Sequence, residues 1–332
     1  MSGERLLFGE GARGDIVHAM QRDLARKGLY KADLDGDYGD ATARAVRAFR
    51  RRNALPAAPH VDPSTWKLLT KRPVPTPSER ALQVTASFEG HGFTLAQGNF
   101  DGAGITWGVI GFTLKSGQLP KIVLEVDSAH PELVEEAFGA KANELLTIMR
   151  SSFAKQLAFA NRLSLGSSRA RLAEPWRTAF RRFGEFPQVQ AVQLVHVQGY
   201  LNPAKRDART LGLKSELGLA LCFDIHVQNG SISTTAMRRI KAAQASHGIR
   251  DERELRVVVA HAVADSASSR FRGDVLSRKL ALATGVGVVH GATYVLRNWG
   301  LGELPVSAQP KPPTRKTAKP KASTRPQVGV NT

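Results

Sequence analysis

The sequence contains a single cysteine, Cys222, among its 332 residues. One cysteine cannot form a disulfide within the chain, so folding does not require an oxidising compartment. The apolar residues around it predict a buried thiol with a structural role. The sequence also lacks any run of eighteen or more apolar residues, so it predicts no membrane-spanning helix.

Patterns for metal and nucleotide binding are missing as well. His196, His261 and His290 are scattered, without the spacing of paired metal ligands. The segment GVGVVHG (285–291) lacks the strand and the glycine spacing of a dinucleotide loop, and close helix packing explains it better. We expect no metal and no cofactor. Since no helix-turn-helix, zinc-finger or RNP pattern is present, we expect no nucleic-acid partner.

Basic residues, in contrast, are in large excess. The formal net charge is +18, which favours anionic partners and repels cationic ones. Part of this charge lies in residues 305–332, a stretch rich in proline and lysine with little to bury. Such a composition predicts a disordered basic tail.

The first 72 residues predict a small bundle of three helices. Apolar residues recur at helical spacing in 16–24 and 45–49, and Asp62 followed by Pro63 marks the start of a third helix. Residues 14–69, including the turn DLDGDYG, resemble the peptidoglycan-binding domain that accompanies many wall hydrolases. The family usually has Gln where Arg50 stands. The resemblance implies bacterial peptidoglycan as a partner.

Residues 73–304 predict a second, larger domain after a proline-rich linker, 71–77. Thr76 and Glu79 fit a capping box that starts a helix ending near Glu89. Threonines, glycines and β-branched residues in 98–119 predict a small β element. Most of the remainder predicts helices, with these ranges among them: 131–150, 151–163, 173–182, 187–199, 215–228, 232–247, 252–267 and 277–296. The predicted fold is mainly α, a three-helix domain followed by an α+β domain.

Glu89 and Asp101 are the candidate catalytic pair. Glycoside cleavage needs one protonated carboxyl group and one ionised carboxylate. Glu89 is predicted at the C-terminus of a helix beside Phe88, where the helix dipole and burial disfavour ionisation, which suits a general acid. Asp101 is predicted in a glycine-rich turn whose backbone N–H groups stabilise an anion, which suits a general base. Taken singly, each residue also fits an ordinary role, a solvated helix end or a turn cap.

The segment DGAGITWGVIGFT (101–113) resembles the DGxGxTxGxxGF segment of the chitosanase family of inverting glycoside hydrolases, within the lysozyme-like superfamily. The resemblance implies a lysozyme-like fold with Glu89 as acid, Asp101 as base and Thr106 positioning the water. We expect the substrate to contact the following residues: Gly102, Gly104, Trp107, Gln118 and Asp224. The glycines, with Gly108, would let a sugar chain approach the backbone closely.

Two of these positions carry particular weight. The family often has Arg at the position of Ala103, and it has Asp, which recognises the ammonium of glucosamine, where Gln118 stands. The loss of that carboxylate and the charge of +18 both disfavour cationic chitosan as the substrate. Asp224 interrupts an apolar helix, so it either forms an ion pair with an arginine such as Arg270, Arg272 or Arg278 or contacts the substrate.

These observations favour a peptidoglycan hydrolase of the muramidase type, inverting at the anomeric carbon. Three alternatives remain open at this point: a lytic transglycosylase, a true chitosanase, and a wall-binding protein without catalytic activity. We expect a monomer. The N-terminal sequence MSGERLLFGEGARGD lacks the apolar run of a signal peptide. We therefore expect synthesis in the cytoplasm and action in the periplasm or cell wall, reached by host lysis as an endolysin does, or by specialised secretion as an antibacterial effector with a cognate immunity protein.

Overall fold

The computed structural model describes residues 5–306 except 89, 91, 247 and 250. It is mostly helical with small antiparallel sheets, which confirms the predicted fold class. The helices are α1 (Asp15–Arg26), α2 (Asp40–Arg52), α3 (Pro63–Thr70), α4 (Pro77–Phe88), α5 (Gln118–Ala129), α6 (Pro131–Phe138), α7 (Ala142–Met149), α8 (Phe153–Leu163), α9 (Trp176–Glu185), α10 (Pro187–Leu211), α11 (Glu216–Asn229), α12 (Thr234–Ser246), α13 (Glu252–Ala264) and α14 (Arg272–Thr284). Most of the predicted tail, residues 307–332, lies outside the described residues.

The strands form three separate sheets. The first has the order β1-β2-β3, and the other two are the hairpins β4-β5 and β6-β7. The strands are β1 (Ala96–Gln97), β2 (Thr106–Trp107), β3 (Phe112–Thr113), β4 (Ser164–Leu165), β5 (Arg171–Leu172), β6 (Val286–Val289) and β7 (Ala292–Val295). The first sheet is the β element predicted within 98–119. No helix in the described part of the chain is both long and apolar enough to cross a membrane.

Helices α1, α2 and α3 form the predicted N-terminal bundle. Asp62 caps α3, accepting a hydrogen bond from the Thr65 backbone N–H at 2.7 Å. Arg50, which stands where Gln is usual in the resembling family, is 2 % exposed and forms an ion pair with Asp62. It also donates to the Pro56 carbonyl at 2.6 Å. The unusual arginine is therefore accommodated because a buried carboxylate neutralises it.

Helix α4 begins with the predicted capping box. The Thr76 backbone N–H donates to Glu79 at 2.7 Å, and the Glu79 N–H donates to the Thr76 hydroxyl at 3.3 Å. Helix α11 lies at the centre of the second unit and is buried from Glu216 to His226. Cys222 on this helix is fully buried and free, as predicted, and burial raises the pKa of its thiol.

Three predicted helices are wrong in extent. The predicted helix 277–296 ends at Thr284, because Gly285 adopts a φ of 84° and the chain continues as the hairpin β6-β7. Because this hairpin occupies the segment, the interpretation of 285–291 as close packing between helices was wrong. The predicted helix 131–150 is broken at Gly139, where φ is 54°. The predicted helix 187–199 instead continues to Leu211 through Pro203, packed against α11.

The N-terminal bundle packs directly against the rest of the chain. Glu216, at the start of α11, is 1 % exposed and accepts hydrogen bonds from Arg5, from Arg80 on α4 at 2.8 Å and from the Gly302 backbone at 3.2 Å. The buried apolar residues of both units form one continuous core. The two sequence units, 1–72 and 73–304, thus pack against each other around a buried charge cluster.

Replacing Glu216 with alanine is expected to destabilise the entire chain. Arg80 is completely buried, and burial lowers its pKa to about 10 even with Glu216 beside it. Without the carboxylate, this cation would be buried and uncompensated, which costs about 3–5 kcal/mol. Denaturant unfolding measures the change. The matched variant Glu135→Ala, at an exposed position of α6, should change the free energy of unfolding by less than about 0.5 kcal/mol. Equal effects of the two variants would contradict the cluster's structural role.

Candidate active site

Glu89, the predicted general acid, lies outside the described residues. The structure defines the chain on both sides of it, with α4 ending at Phe88 and the chain resuming at Gly92 and Phe93. The contacts of these flanking residues and of the predicted base, Asp101, therefore define the site.

The hairpin β6-β7 holds the last turn of α4. His290 Nδ1 donates to the Phe88 carbonyl at 3.1 Å, and the Tyr294 hydroxyl donates to the Ser87 carbonyl at 3.2 Å. The other ring nitrogen of His290, Nε2, contacts Asp274 Oδ1 at 2.6 Å. Carbonyls at a helix C-terminus have no partner within the helix, so these side chains satisfy them and fix the helix end.

A buried ionic cluster lies beside the same helix end. Asp224 is fully buried, and its Oδ1 and Oδ2 accept hydrogen bonds from Arg278 at 2.6 Å and Lys279 at 2.5 Å. Burial alone would raise the pKa of Asp224, but the two cations outweigh it and hold the pKa at about 2. The guanidinium carbon of Arg278 lies 5.1 Å from the centre of the Phe88 ring. Both carboxylate oxygens of Asp224 are thus engaged with cations inside the protein, the ion-pair arrangement that the sequence left open.

The peptide group of Phe93 is held from two sides. Its N–H donates to Asp15 Oδ2 of α1 at 3.1 Å, and its carbonyl accepts from Gln193 Nε2 of α10 at 3.3 Å. Burial raises the pKa of the Asp15 carboxyl, and the hydrogen bond from Phe93 opposes this effect. A Cβ atom built on Gly92 would lie 1.9 Å from the Asp15 carboxylate, so only glycine fits there. The N-terminal bundle thus contacts the chain at Phe93, four residues after Glu89.

Asp101 lies in the exposed loop between β1 and β2. Its Oδ1 accepts a hydrogen bond from the Ala103 N–H at 2.9 Å, the type of backbone contact that the sequence predicted. Asn99 fixes the loop through two hydrogen bonds. Its Oδ1 accepts from the Gly104 N–H at 2.9 Å, and its Nδ2 donates to Asn161 of α8 at 2.7 Å. Asp101 is therefore solvent-accessible on a loop anchored to α8.

Thr106 and Trp107 form β2, between β1 and β3. The Thr106 side chain is 7 % exposed, and its hydroxyl is buried without a hydrogen-bond partner among the described residues. Buried hydroxyl groups nearly always have a partner, so this one has an unused capacity to bind water or substrate. Trp107 is completely buried, donates to the Phe180 carbonyl at 2.8 Å and stacks on Phe183. Trp107 therefore belongs to the core in this structure, whereas the sequence predicted a substrate contact.

The glycines of this segment differ in their surroundings. Gly102 has a φ of 85° and open space where a side chain would stand. A Cβ atom on Gly104 would approach Leu114 to 2.9 Å, and one on Gly108 would approach Gln193 to 2.5 Å. Gly104 and Gly108 thus allow close internal packing. Of these three, only Gly102 keeps the open backbone that a sugar chain would need, and a contact between substrate and Gly104 stays a prediction.

Gln118, at the start of α5, is partly buried and engaged with a histidine. His196 on α10 places Nδ1 at 2.8 Å from Gln118 Oε1 and Nε2 at 2.8 Å from Glu125 Oε2. The Glu125 carboxylate only accepts, so Nε2 donates to it. His196 thus fixes the Gln118 amide and links it to Glu125.

The sequence missed three residues that position the site: Asp15, Asn99 and Gln193. Asp15 and Gln193 act through contacts with backbone far away in the sequence, and Asn99 acts through the backbone of its own loop and through Asn161. Gln193 also accepts from the Val109 N–H at 2.9 Å, just after β2. Gln193 thus joins the chain after Glu89 to the turn after Thr106. A buried glutamine within an otherwise apolar helix face is a sequence signal for such a role, because buried amides need partners.

Comparison with known proteins gives two family matches. Residues 13–69 match the model of a putative peptidoglycan binding domain, and residues 85–254 match that of glycosyl hydrolase family 46. No curated protein shows a significant match to the sequence.

Among solved structures, similar chains include family 46 chitosanases. One, from Gynuella sunshinyii in complex with chitotetraose, is 17 % identical, with a TM-score of 0.45 over 64 % of this chain and 88 % of that one. The native chitosanase from Bacillus subtilis MY002 is 21 % identical, with a TM-score of 0.46 over 62 % of this chain and 86 % of that one.

The second family match spans about half of the 332 residues and includes Glu89, Asp101 and Thr106. It confirms the resemblance seen in the sequence and the lysozyme-like class predicted from it. With its N-terminal peptidoglycan-binding domain, the chain belongs to glycosyl hydrolase family 46 and is a glycoside hydrolase.

Proposed function

We propose that this glycoside hydrolase cleaves the β-1,4 glycan strand of bacterial peptidoglycan, as a muramidase-type enzyme. One observation carries the choice of substrate: the domain that matches a peptidoglycan-binding family is packed onto the chain next to Glu89, through the contact of Asp15 with Phe93. A wall strand held by this domain would be presented to the catalytic unit at a high effective concentration.

In the proposed mechanism, Glu89 protonates the glycosidic oxygen and Asp101 accepts a proton from the attacking water. The Ala103 N–H stabilises the Asp101 carboxylate while the exposed position leaves it accessible to that water. The unused Thr106 hydroxyl supplies a hydrogen bond that orients the water. Attack by water on the face opposite the leaving group inverts the anomeric carbon.

The proposed role of the buried Asp224 is to hold Arg278 against Phe88, at the end of the helix that leads to Glu89. The carboxylate neutralises Arg278 and Lys279, and these two cations would otherwise be buried without compensation. Asp224 is then a positioning residue and makes no contact with the sugar.

Two features support peptidoglycan over chitosan. The net charge of +18 repels a polycation and attracts the carboxylates of the wall. Gln118 presents an amide bonded to His196. An uncharged amide at this position suits an uncharged N-acetyl group better than an ammonium group, which a carboxylate would bind.

We also propose that the enzyme acts in the periplasm or the cell wall, after host lysis as an endolysin or after specialised secretion as an antibacterial, bacteriolytic effector. The support is the location of the proposed substrate. The effector route further implies a cognate immunity protein that inhibits the enzyme.

Replacing Glu89 with glutamine should lower the release of reducing ends from purified sacculi by ~10²–10⁴-fold, and Asp101→Asn should do the same, because each removes a proton-transfer step. Wall binding and folding should be unchanged. The control Glu135→Gln should behave as wild type. Near-wild-type activity of Glu89→Gln would refute the assignment. Anhydro products formed by wild type and by Asp101→Asn would indicate a transglycosylase, and cleavage of chitosan alone would indicate a chitosanase.

Thr106→Val tests the water-positioning role without a folding cost. The hydroxyl has no partner among the described residues, so the isosteric change should leave the unfolding temperature equal or slightly higher. Turnover should fall about tenfold, the equivalent of one hydrogen bond of roughly 1.4 kcal/mol. The exposed Thr147→Val is the control. A destabilised variant with unchanged turnover would assign the hydroxyl to the fold.

Asp15 should influence turnover although it belongs to the wall-binding domain. Asp15→Ala removes the acceptor for the Phe93 N–H, so we expect kcat to fall several-fold with unchanged binding to sacculi. Asp15→Asn keeps an acceptor oxygen and removes a carboxylate whose pKa is raised by burial, so it should restore kcat. Steady-state kinetics on soluble glycan strands measures the effect. If both variants match wild type, the contact has no role in catalysis.

A further inference from the structure

A basic groove lies on the N-terminal bundle, between α2 and the loop that follows α1. Its volume is about 620 Å³, a size suited to a small ligand. Small and aromatic side chains form its floor, among them Ala41, Ala45, Ala48 and Tyr30, and cations form its rim: Lys31, Arg44, Arg47 and Arg51. In the described part of the chain, no acidic residue lines it.

The rim cations have no counter-ion in the described part of the chain: neither a salt bridge nor a side-chain hydrogen bond pairs Lys31, Arg44, Arg47 or Arg51 with another residue. Arg50, one residue from Arg51, is buried against Asp62. The three rim arginines follow the spacing i, i+3, i+7, which places them along one side of α2, where like charges repel each other. An anionic ligand would relieve this repulsion.

The groove remains accessible when the bundle is packed against the catalytic unit. The polar contacts that join the two units come from residues 5–16, including Arg5, the Glu10 carbonyl and Asp15. The groove lies on the α2 side of the bundle and uses none of these residues. The bundle therefore has two separate faces, one for the catalytic unit and one for a ligand.

We propose that this groove binds the peptide stems of peptidoglycan, with stem carboxylates on the arginines and alanine methyl groups on the alanine floor. Guanidinium groups bind carboxylates with paired, geometrically defined hydrogen bonds. The glycan backbone itself carries no charge once its lactyl groups bear peptides, so the stems are the anionic part of the polymer. This inference rests on the proposed peptidoglycan substrate and names the part of it that the N-terminal domain recognises.

The test measures binding of the full chain, carrying Glu89→Gln to prevent digestion, to sacculi from a Gram-negative wall, which bears no phosphate polymers. Arg47→Gln/Arg51→Gln should weaken binding at least tenfold, and a soluble stem peptide with free carboxylates should displace the parent chain from the sacculi. Arg22→Gln/Arg52→Gln removes the same charge from exposed positions of the same domain outside the groove, and it should bind as the parent does.

Equal binding by the groove variant and the parent chain would overturn the proposal, and so would equal weakening by the two arginine pairs, which would indicate net charge alone. Failure of the soluble stem peptide to displace the parent chain would overturn it as well. Failure of wild type to cleave any wall glycan would refute the catalytic proposal, whereas the binding result would still stand by itself.

Discussion

Two hydrogen bonds fix the backbone of Phe93. Its N–H donates to Asp15 of the N-terminal bundle, and its carbonyl accepts from Gln193 of α10. The path of the chain after Glu89 therefore depends on how the bundle packs. That packing in turn depends on Glu216, whose buried carboxylate joins Arg5 to Arg80. Because such a carboxylate is stable only with its cations in place, the position of the wall-binding domain is specified by electrostatics as well as by apolar contact.

The two sides of the proposed active site are built on different supports. Helix α4, which leads to Glu89, is held by the hairpin β6-β7 and by the cluster of Asp224, Arg278 and Lys279. The loop of Asp101 is held by Asn99, which donates to Asn161 of α8. Gln193 contacts the chain that follows each part, through the Phe93 carbonyl and the Val109 N–H. A glycosidase needs fixed spacing between its acid and its base, and a single buried amide that touches both sides is a simple means of keeping it.

Local sequence signals predicted local structure well. The capping box of Thr76 and Glu79 and the cap at Asp62 depend on residues a few positions apart, and both formed as expected. The hairpin β6-β7 was missed because its valines follow a helix without a break in hydrophobicity, and only Gly285 marked the change. The predicted helix 187–199 was too short, because α10 packs on α11 and continues through Pro203. Asp101 and Thr106 were found because they share one short motif. Asp15 and Gln193 were not found, because the residue that both contact, Phe93, lies 78 and 100 positions away from them in the sequence and meets them only in the fold.

In the proposed hydrolysis, a water molecule activated by a carboxylate becomes part of the product. Mass spectrometry of sacculi digested in water labelled with heavy oxygen tests this most directly. The account predicts muropeptides with a reducing end, each carrying one labelled oxygen at its new anomeric hydroxyl. Unlabelled products with anhydro ends, or intact sacculi alongside cleaved chitosan, would contradict it.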